Sequence, residues 1–427
     1  DAVVDNCGTC DNDPSNDCTQ DCADVWGGDA VEDNCGTCDI DPTNDCAGYT
    51  IALDGVDLIS FHALPENTGV DSIFAGIIDY APGVLGEGYS TNYYDDMWTG
   101  TLMSIEPTDG YWVVIEIEDG DSTELSIEDG IPTDPSTVYD LHVHTNLISY
   151  PFAGSAAIEA TIPESAQGSI DAILGEGAAA MNTSDGWVGG LLNLSGTEGY
   201  WFITNAEVSF TYNPPVEGVA RKASPIRSVP MEFAFKQSTQ QAFYFVENAT
   251  IGGEPIEKED LIIAYNGDVR VGSRYWYGET TDIPAMGTDG SDAYAGYCSA
   301  GDKISFKVLD ASSGDLIDMV ADGEAIWNNN GFSIISLSDQ VIPEEISFSS
   351  AYPNPFNPVT MISFAVPSEM EVQMVVHDML GRVVAELADG IYRQGNYELQ
   401  WNASQQSSGI YFVKMVAGGQ TNIQKLM

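Results

Sequence analysis

Lysine and arginine are missing from the first half of this chain. All 13 bases lie at or beyond Arg221, against 66 acids, and the formal net charge over the 427 residues is -53. Such a surface repels nucleic acid and anionic lipid, whose phosphates need cationic side chains to displace their counterions. Uncompensated carboxylates also repel one another unless salt screens them or cations bind them. Histidine is scarce as well, at four residues. There is no nucleophile–base pair, phosphate-binding loop, dinucleotide fingerprint or zinc-protease motif, so an enzyme is not expected. Apolar runs stop short of the roughly 18 residues a membrane-spanning helix needs. Neither an initiator Met nor a signal peptide precedes Asp1, which is the expectation for a processed chain or part of a longer one.

Apolar residues make up 43% of the chain, enough for packed cores, and its Gly, Tyr and Trp suit short strands joined by tight turns. Length alone allows about three to five modules. The expected class is mainly β: tandem β-sandwich-like modules preceded by an irregular Cys/Asp-rich array.

That array, residues 1–48, repeats with a period of 28: Asp5-Asn6-Cys7-Gly8-Thr9-Cys10-Asp11 recurs as Asp33-Asn34-Cys35-Gly36-Thr37-Cys38-Asp39. Almost nothing in it is apolar, so cysteines and metal must hold it together. Calcium takes six to eight oxygens, and Asp at alternate positions wraps carboxylates and carbonyls around one ion. Asp5, Asp11, Asp13 and Asp17, with Asp33, Asp39, Asp41 and Asp45, are the candidate Ca²⁺ ligands. The pattern resembles thrombospondin type 3-like calcium repeats of bacterial surface proteins, with the family's Asp-x-Asp-x-Asp-Gly core altered to Asp-x-Asp-Pro. A disordered acidic linker is the plain alternative. Cys7, Cys10, Cys18, Cys22, Cys35, Cys38 and Cys46 are disulfide candidates, of open connectivity. Cys-x-x-Cys also serves zinc or redox chemistry, but an extracellular compartment favours disulfides. A full repeat carries four cysteines and the first copy three, so further array is expected upstream. Cys298, alone in a distant module, reads as a buried free thiol.

A second duplication follows, with a constant offset of 89: copy 1 at residues 49–130 and copy 2 at 131–212. Leu58-Ile59-Ser60-Phe61 matches Leu147-Ile148-Ser149-Tyr150, Leu85-Gly86-Glu87-Gly88 matches Leu174-Gly175-Glu176-Gly177, and Gly110-Tyr111-Trp112 matches Gly199-Tyr200-Trp201. Apolar runs such as Tyr111–Ile117 read as strands. Residues 70–77 and 169–174 are read as a short helix or turn in each copy. Glu87 and Glu176 are single carboxylates in Gly-flanked turns, whereas glycoside hydrolysis needs two close together; a structural turn role is expected. Trp98, Tyr111 and Trp112 suit core packing or a sugar platform. His142 and His144 would share one face of a strand, an incomplete metal site on a surface strand.

Residues 213–228 read as a linker and 229–345 as a β-sandwich, with strand signals at 232–235, 242–246, 261–265, 304–309 and 332–336. Tyr275-Trp276-Tyr277 cannot all face one core, so at least one should be exposed as a glycan or subunit contact, unless the neighbouring loops bury them. Residues 346–427 carry Tyr352-Pro353-Asn354-Pro355-Phe356-Asn357-Pro358, Asp378-Met379-Leu380-Gly381-Arg382, Gly395-Asn396-Tyr397 and Ser408-Gly409-Ile410-Tyr411-Phe412. In order and spacing these resemble the C-terminal sorting domain of type IX (Por) secretion cargo, over about a fifth of the chain. Alternating segments between turns give a seven-strand sandwich. The resemblance implies export by the type IX machinery to the extracellular side or outer surface of a Gram-negative bacterium.

The functional expectation is a non-enzymatic cell-surface structural protein, a stalk or fibre subunit rigidified by Ca²⁺ and disulfides and associating with itself or the surface. A glycan-binding adhesin, and the non-catalytic C-terminal part of a larger secreted hydrolase, stay open as alternatives.

Overall fold

The computed structural model describes residues 3–4, 10–11, 19–32, 38–40, 47–118, 120–215, 226–339, 345–392 and 394–427. It is mainly β, with helices of one or two turns. The 28-residue period is also a backbone repeat. Val3–Val4 pairs antiparallel with Cys10–Asp11, and Val31–Glu32 pairs with Cys38–Asp39. Between these hairpins the Asp21 carboxylate accepts hydrogen bonds from the backbone N–H groups of Ala23, Val25 and Ala30 at 3.0, 2.8 and 3.3 Å. Trp26 and Ile40 are exposed, as expected of a segment with no core of its own.

Each β-rich copy is built on one five-stranded antiparallel sheet. Copy 1 runs Met97–Gly100, Ser90–Tyr94, Gly83–Leu85, Gly110–Val114, Val56–Ser60 from edge to edge. Copy 2 repeats the order as Gly186–Gly189, Ala179–Thr183, Ile170–Leu174, Tyr200–Thr204, His144–Ile148. The cores match at the same offset, with Ile59, Phe61, Ile105 and Tyr111 answered by Ile148, Tyr150, Leu194 and Tyr200, all buried. In both copies the core tyrosine hydroxyl accepts from a backbone N–H five residues upstream: Glu106 to Tyr111 at 2.8 Å and Ser195 to Tyr200 at 2.7 Å.

Two readings of local structure need correction here. The helix in copy 1 is where expected, at Val70–Ile73 with a 3₁₀ turn at Ala75–Tyr80, but residues 170–174 of copy 2 form a strand. Its helical turns lie earlier, at Ile158–Thr161 and Glu164–Gln167. Ile170–Leu174 is the central strand of the five, buried except at Asp171, and the register shifts between Ile170 and Ala172, so its apolar residues do not alternate regularly. His142 and His144 do not share a strand face either. The chain leaves Tyr139–Leu141 at His142 and begins the next strand at His144, whose φ of 87° turns it out of regular register.

In the third module the strands at 241–251, 261–266, 305–309 and 332–338 cover four of the expected signals, and residues 231–233 are a 3₁₀ turn instead of a strand. Its strands join one eight-stranded sheet rather than two separate sheets. The sheet curls until a side chain on Gly272 would collide with the Pro284 carbonyl of the strand Thr281–Met286. The enclosed core includes Tyr244, Phe306, Trp276, Trp327 and the free thiol of Cys298. The C-terminal segment has the seven strands expected, in a three-stranded sheet (Ser347–Phe348, Val359–Val366, Gly395–Asn402) and a four-stranded one (Val383–Tyr392, Met370–Asp378, Tyr411–Ala417, Gln420–Leu426). Ile362, Phe364, Val372, Met374, Val413, Met415 and Trp401 fill the space between them.

Among the described residues no helix is long and apolar enough to cross a membrane.

Phe243 and Phe245 project from the third module onto Ala172, Leu174, Ala179 and Met181 of copy 2. Phe245→Ala should therefore cost about 3–5 kcal/mol, the range for emptying an aromatic site. Thermal unfolding should show copy 2 and the third module destabilised together. An effect confined to the third module would mean the two do not melt as one unit.

Candidate functional site

The chemistry-bearing side chains gather at the seams between modules. Copies 1 and 2 meet through contacts that repeat themselves under the offset of 89. Glu87 Oε2 accepts from the Leu147 N–H at 2.9 Å, and Glu176 Oε2 accepts from the Leu58 N–H at 2.9 Å. Ser149 N–H donates to Thr108 O and Ser60 N–H to Thr197 O, at 3.0 and 3.2 Å. Isolated bridges join Asp109 to Ile148 and Ile59 to Glu198. Leu58, Trp112 and Leu147 form the apolar centre, with Trp201 against them. The two copies thus face each other about a pseudo-twofold relation, each lending one glutamate to the backbone of the other. The turn role expected for these glutamates is real but incomplete, because their partners lie in the opposite copy.

The two halves of the seam differ in charge. On one side Glu87 Oε1 also meets His142 Nε2 at 2.8 Å, and the Val143 carbonyl followed by Glu87 raises the imidazole above its ordinary pKa. On the other side, ligand oxygens of Asp54, Asp57 and Glu176 lie within 4.8 Å of one another. Asp57 is buried, accepts from the backbone N–H groups of Asp54 and Gly55, and is pushed up to about 6, chiefly by burial. Glu176 keeps part of its side chain in solvent, yet enclosure of its carboxylate raises it to about 8, opposed by the Leu58 N–H and helped by Asp57 and Asp54. Asp54 and Asp57 fall at the positions of Val143 and Asn146 in copy 2, so this carboxylate group exists once.

Copy 2 is fastened to the third module by a buried ion pair. Asp282 accepts from the N–H groups of Ala179 and Gly190 at 2.8 and 2.6 Å and lies 3.4 Å from the Arg274 guanidinium. Arg274 also donates to the carbonyls of Asp282 and Gly177. Burial pushes the Asp282 carboxyl upward, and Arg274 with the two backbone donors opposes it. Gln241 completes the seam, donating to Gly175 O at 2.8 Å and accepting from Gly177 N–H at 3.3 Å.

Tyr275, Trp276 and Tyr277 are absorbed into this part of the molecule. Trp276 is core, Tyr275 is half-buried with the Arg227 guanidinium 3.9 Å from its ring centre, and the Tyr277 hydroxyl meets Arg274 at 3.3 Å. None of the three stands fully exposed, contrary to what their adjacency suggests, because the strand ends after Tyr275 and the chain turns there. In the array, Cys22 and Cys38 form a disulfide. Asp11 and Asp39 lie at equivalent strand positions, whereas Asp5, Asp13, Asp17, Asp33, Asp41 and Asp45, with Cys7, Cys18, Cys35 and Cys46, fall outside the described residues. Cys10 lies in the first hairpin. Most of the 213–228 linker is likewise outside them.

Residues 350–427 match the secretion system C-terminal sorting domain family. The match supports type IX secretion cargo and implies export to a cell-surface or extracellular destination. No curated protein matches the chain. Among solved structures, dimeric latent PorU from Porphyromonas gingivalis aligns at 10% identity and a TM-score of 0.15, over 89% of this chain and 29% of that one. The Bacillus anthracis TIE protein aligns at 8% identity and a TM-score of 0.13, over 89% of this chain and 65% of that one. The chain thus spans under a third of the first of these and about two thirds of the second.

The Glu176 side of the seam should respond to pH. A carboxyl whose folded pKa lies above its unfolded value of about 4 holds extra protons in the folded state, so its stabilisation is full below that value and is lost as pH rises through about 8. Thermal melts from pH 5 to 9 should show stability falling with pH in wild type, with a flatter profile in Glu176→Gln. Glu176→Ala, which strands the Leu58 N–H, should destabilise by about 1–3 kcal/mol at every pH. Parallel profiles for wild type and Glu176→Gln would show that this carboxyl titrates normally.

Proposed function

We propose that this type IX cargo is a non-enzymatic structural protein of the cell surface, a stalk or fibre subunit. The observation that carries the reading is the jointing of its modules. Copies 1 and 2 share a reciprocal seam of backbone hydrogen bonds, and copy 2 is fastened to the third module by Asp282, Arg274 and Gln241. Surfaces between modules joined in this way favour a stiff rod over independently moving domains.

The N-terminal array would supply a second rigid element. Its hairpins bring Asp11 and Asp39 to matching positions at the head of each Asp-x-Asp-Pro run. The donor set there is carboxylate and carbonyl oxygen, which suits Ca²⁺. Asp21 accepts hydrogen bonds from its own loop's backbone. The Cys22–Cys38 disulfide ties the loop between the hairpins to the second of them. In this reading the array of one subunit lies against a β-module of the next, and repeated head-to-tail contacts extend without closing. The sorting domain addresses the chain to the export machinery and the outer surface.

Negative-stain microscopy of the native material with and without EDTA tests this. Filaments that shorten or dissolve on chelation and return with Ca²⁺ are the expected result. Monodisperse particles under both conditions would sink the fibre reading, and filaments indifferent to EDTA would remove calcium from it.

A further inference from the structure

The duplication supplies an internal control for a groove that only one copy keeps open. In copy 1 a groove of about 530 Å³ lies between the helical turns at 70–80 and the hairpin 90–100, lined by Tyr93, Trp98, Met97, Met103, Asp71 and Asp96. That volume falls within the roughly 300–1,000 Å³ of small-molecule sites. Met97 and Met103 are 60% and 70% exposed. Trp98 is half-buried, its inner part packed on Phe74 and Tyr93 with ring centres 5.9 and 5.5 Å away. In copy 2 the same region is closed. Trp187 is buried, Gly186 and Asn182 replace Met97 and Tyr93, and Asn182 Nδ2 donates to the carbonyls of Gln167 and Ile170 at 2.8 and 3.0 Å. The Glu159 carboxylate stands 3.2 Å from where a Cβ on Gly186 would lie, in space that Met97 takes up in copy 1.

Two features decide what would fit the open groove. Neither Asp71 nor Asp96 takes part in a hydrogen bond or ion pair with another side chain among the described residues, and no Lys or Arg exists anywhere in residues 1–220 to balance them. Negative potential therefore accumulates beside a half-buried indole and two soft thioethers. An anion is repelled there. A hydrophobic cation gains from both carboxylates and from the ring quadrupole, for which tryptophan is the strongest side-chain partner. We propose that the Trp98 groove of copy 1 binds an organic cation of the alkylammonium class, either a free quaternary amine or a lysine side chain presented by a partner.

Methyl carbon–proton spectra of the full chain, with the Met97 and Met103 signals assigned through Met97→Leu and Met103→Leu, give a direct readout. Titration with choline should shift both methyls and saturate in the millimolar range, more weakly as sodium chloride rises. N-acetyl-lysine amide shifting the same signals more strongly than choline would identify a partner's lysine as the source, and the reverse order a free quaternary amine. Asp71→Asn with Asp96→Asn should weaken binding about fivefold or more without lowering the melting temperature, since their loss removes repulsive charge and no side-chain contact. Trp98→Ala should abolish binding; because that ring also packs on Phe74, Trp98→Phe serves as the folded control and should bind more weakly. Shifts with a neutral hexose or maltose and none with either ammonium probe would overturn the proposal in favour of a saccharide site. No shift with any probe would overturn it outright.

Discussion

Carboxylates with no side-chain cation to meet are the constraint on which the first half of this molecule depends. A buried or crowded carboxylate must find a donor, and where Lys and Arg are absent the available donors are backbone N–H groups beside a few hydroxyls, amides and His142. The chain uses them repeatedly. Asp21 gathers three around its loop, Asp57 takes those of Asp54 and Gly55, Asp134 takes that of Ser136, and Glu87 and Glu176 each take one from the opposite copy. An acid bonded to its own loop stiffens a turn. An acid bonded across a seam joins two modules. The reciprocal glutamates are that second case. They convert a tandem duplication into a pseudo-symmetric pair whose interface is built from main chain, two carboxylates and a small apolar centre.

Divergence between the copies then decides where the rest of the chain attaches. The outward face of the copy 2 sheet carries Ala172, Leu174, Ala179 and Met181, and Phe243 and Phe245 of the third module cover it. At the same positions copy 1 has Gly83, Leu85, Ser90 and Asn92. Two of these are polar, and none but Leu85 offers the area to reward docking. The closed helix–hairpin groove of copy 2 and the open one of copy 1 follow the same division. One copy has become the joint to the third module, and the other has kept its surfaces for solvent or ligand. Asp282 locks the joint from the far side by reaching the backbone at Ala179 and Gly190, where the Cβ that any other residue would add at 190 has no room.

The sequence was most legible where motif and period agreed. The sorting-domain strands alternate and are punctuated by Gly, Pro and Asn, so the five central ones were readable, as were both duplications, while the short Ser347–Phe348 and the polar Gln420–Leu426 were not individually marked. The mainly β class followed from the same signals. Illegible features share one physical cause: they depend on pairing across distance. Ile170–Leu174 carries apolar residues on both faces of the central strand with an irregularity at Asp171, and only its neighbours at 179–183 and 200–204 mark it as a strand. Tyr275-Trp276-Tyr277 look like a surface cluster until Arg227 arrives over Tyr275 from the preceding linker and the adjacent strand turns Arg274 onto the Tyr277 hydroxyl. Glu87 and Glu176 were recognisable as equivalent turn residues, yet nothing local indicates that each reaches into the other copy. The constant offset held that signal, since Leu58 and Leu147 obey it too. In the array, sequence marks the Asp and Cys positions, but of the pairings only Cys22–Cys38 lies within the described residues.

Charge segregation bears on the medium this molecule suits. Among the described residues, the Lys and Arg ion pairs, Arg274–Asp282, Lys307–Asp318 and Arg382–Asp378, all belong to the second half. Raising salt shortens the screening length to about 3 Å at 1 M, which suppresses repulsion between carboxylates spaced wider than that. The acid-to-backbone hydrogen bonds of the first half act at contact distance and are largely spared. Of the three ion pairs, Arg274–Asp282 is buried and poorly reached by ions, while the other two each keep one partner largely in solvent and have little to lose. The balance is one-sided. Salt removes the first half's principal destabilising force and takes almost nothing from the second. A chain that has discarded basic residues over half its length has therefore accepted a cost that a saline exterior largely cancels, and the same choice leaves backbone amides as its chief means of joining modules.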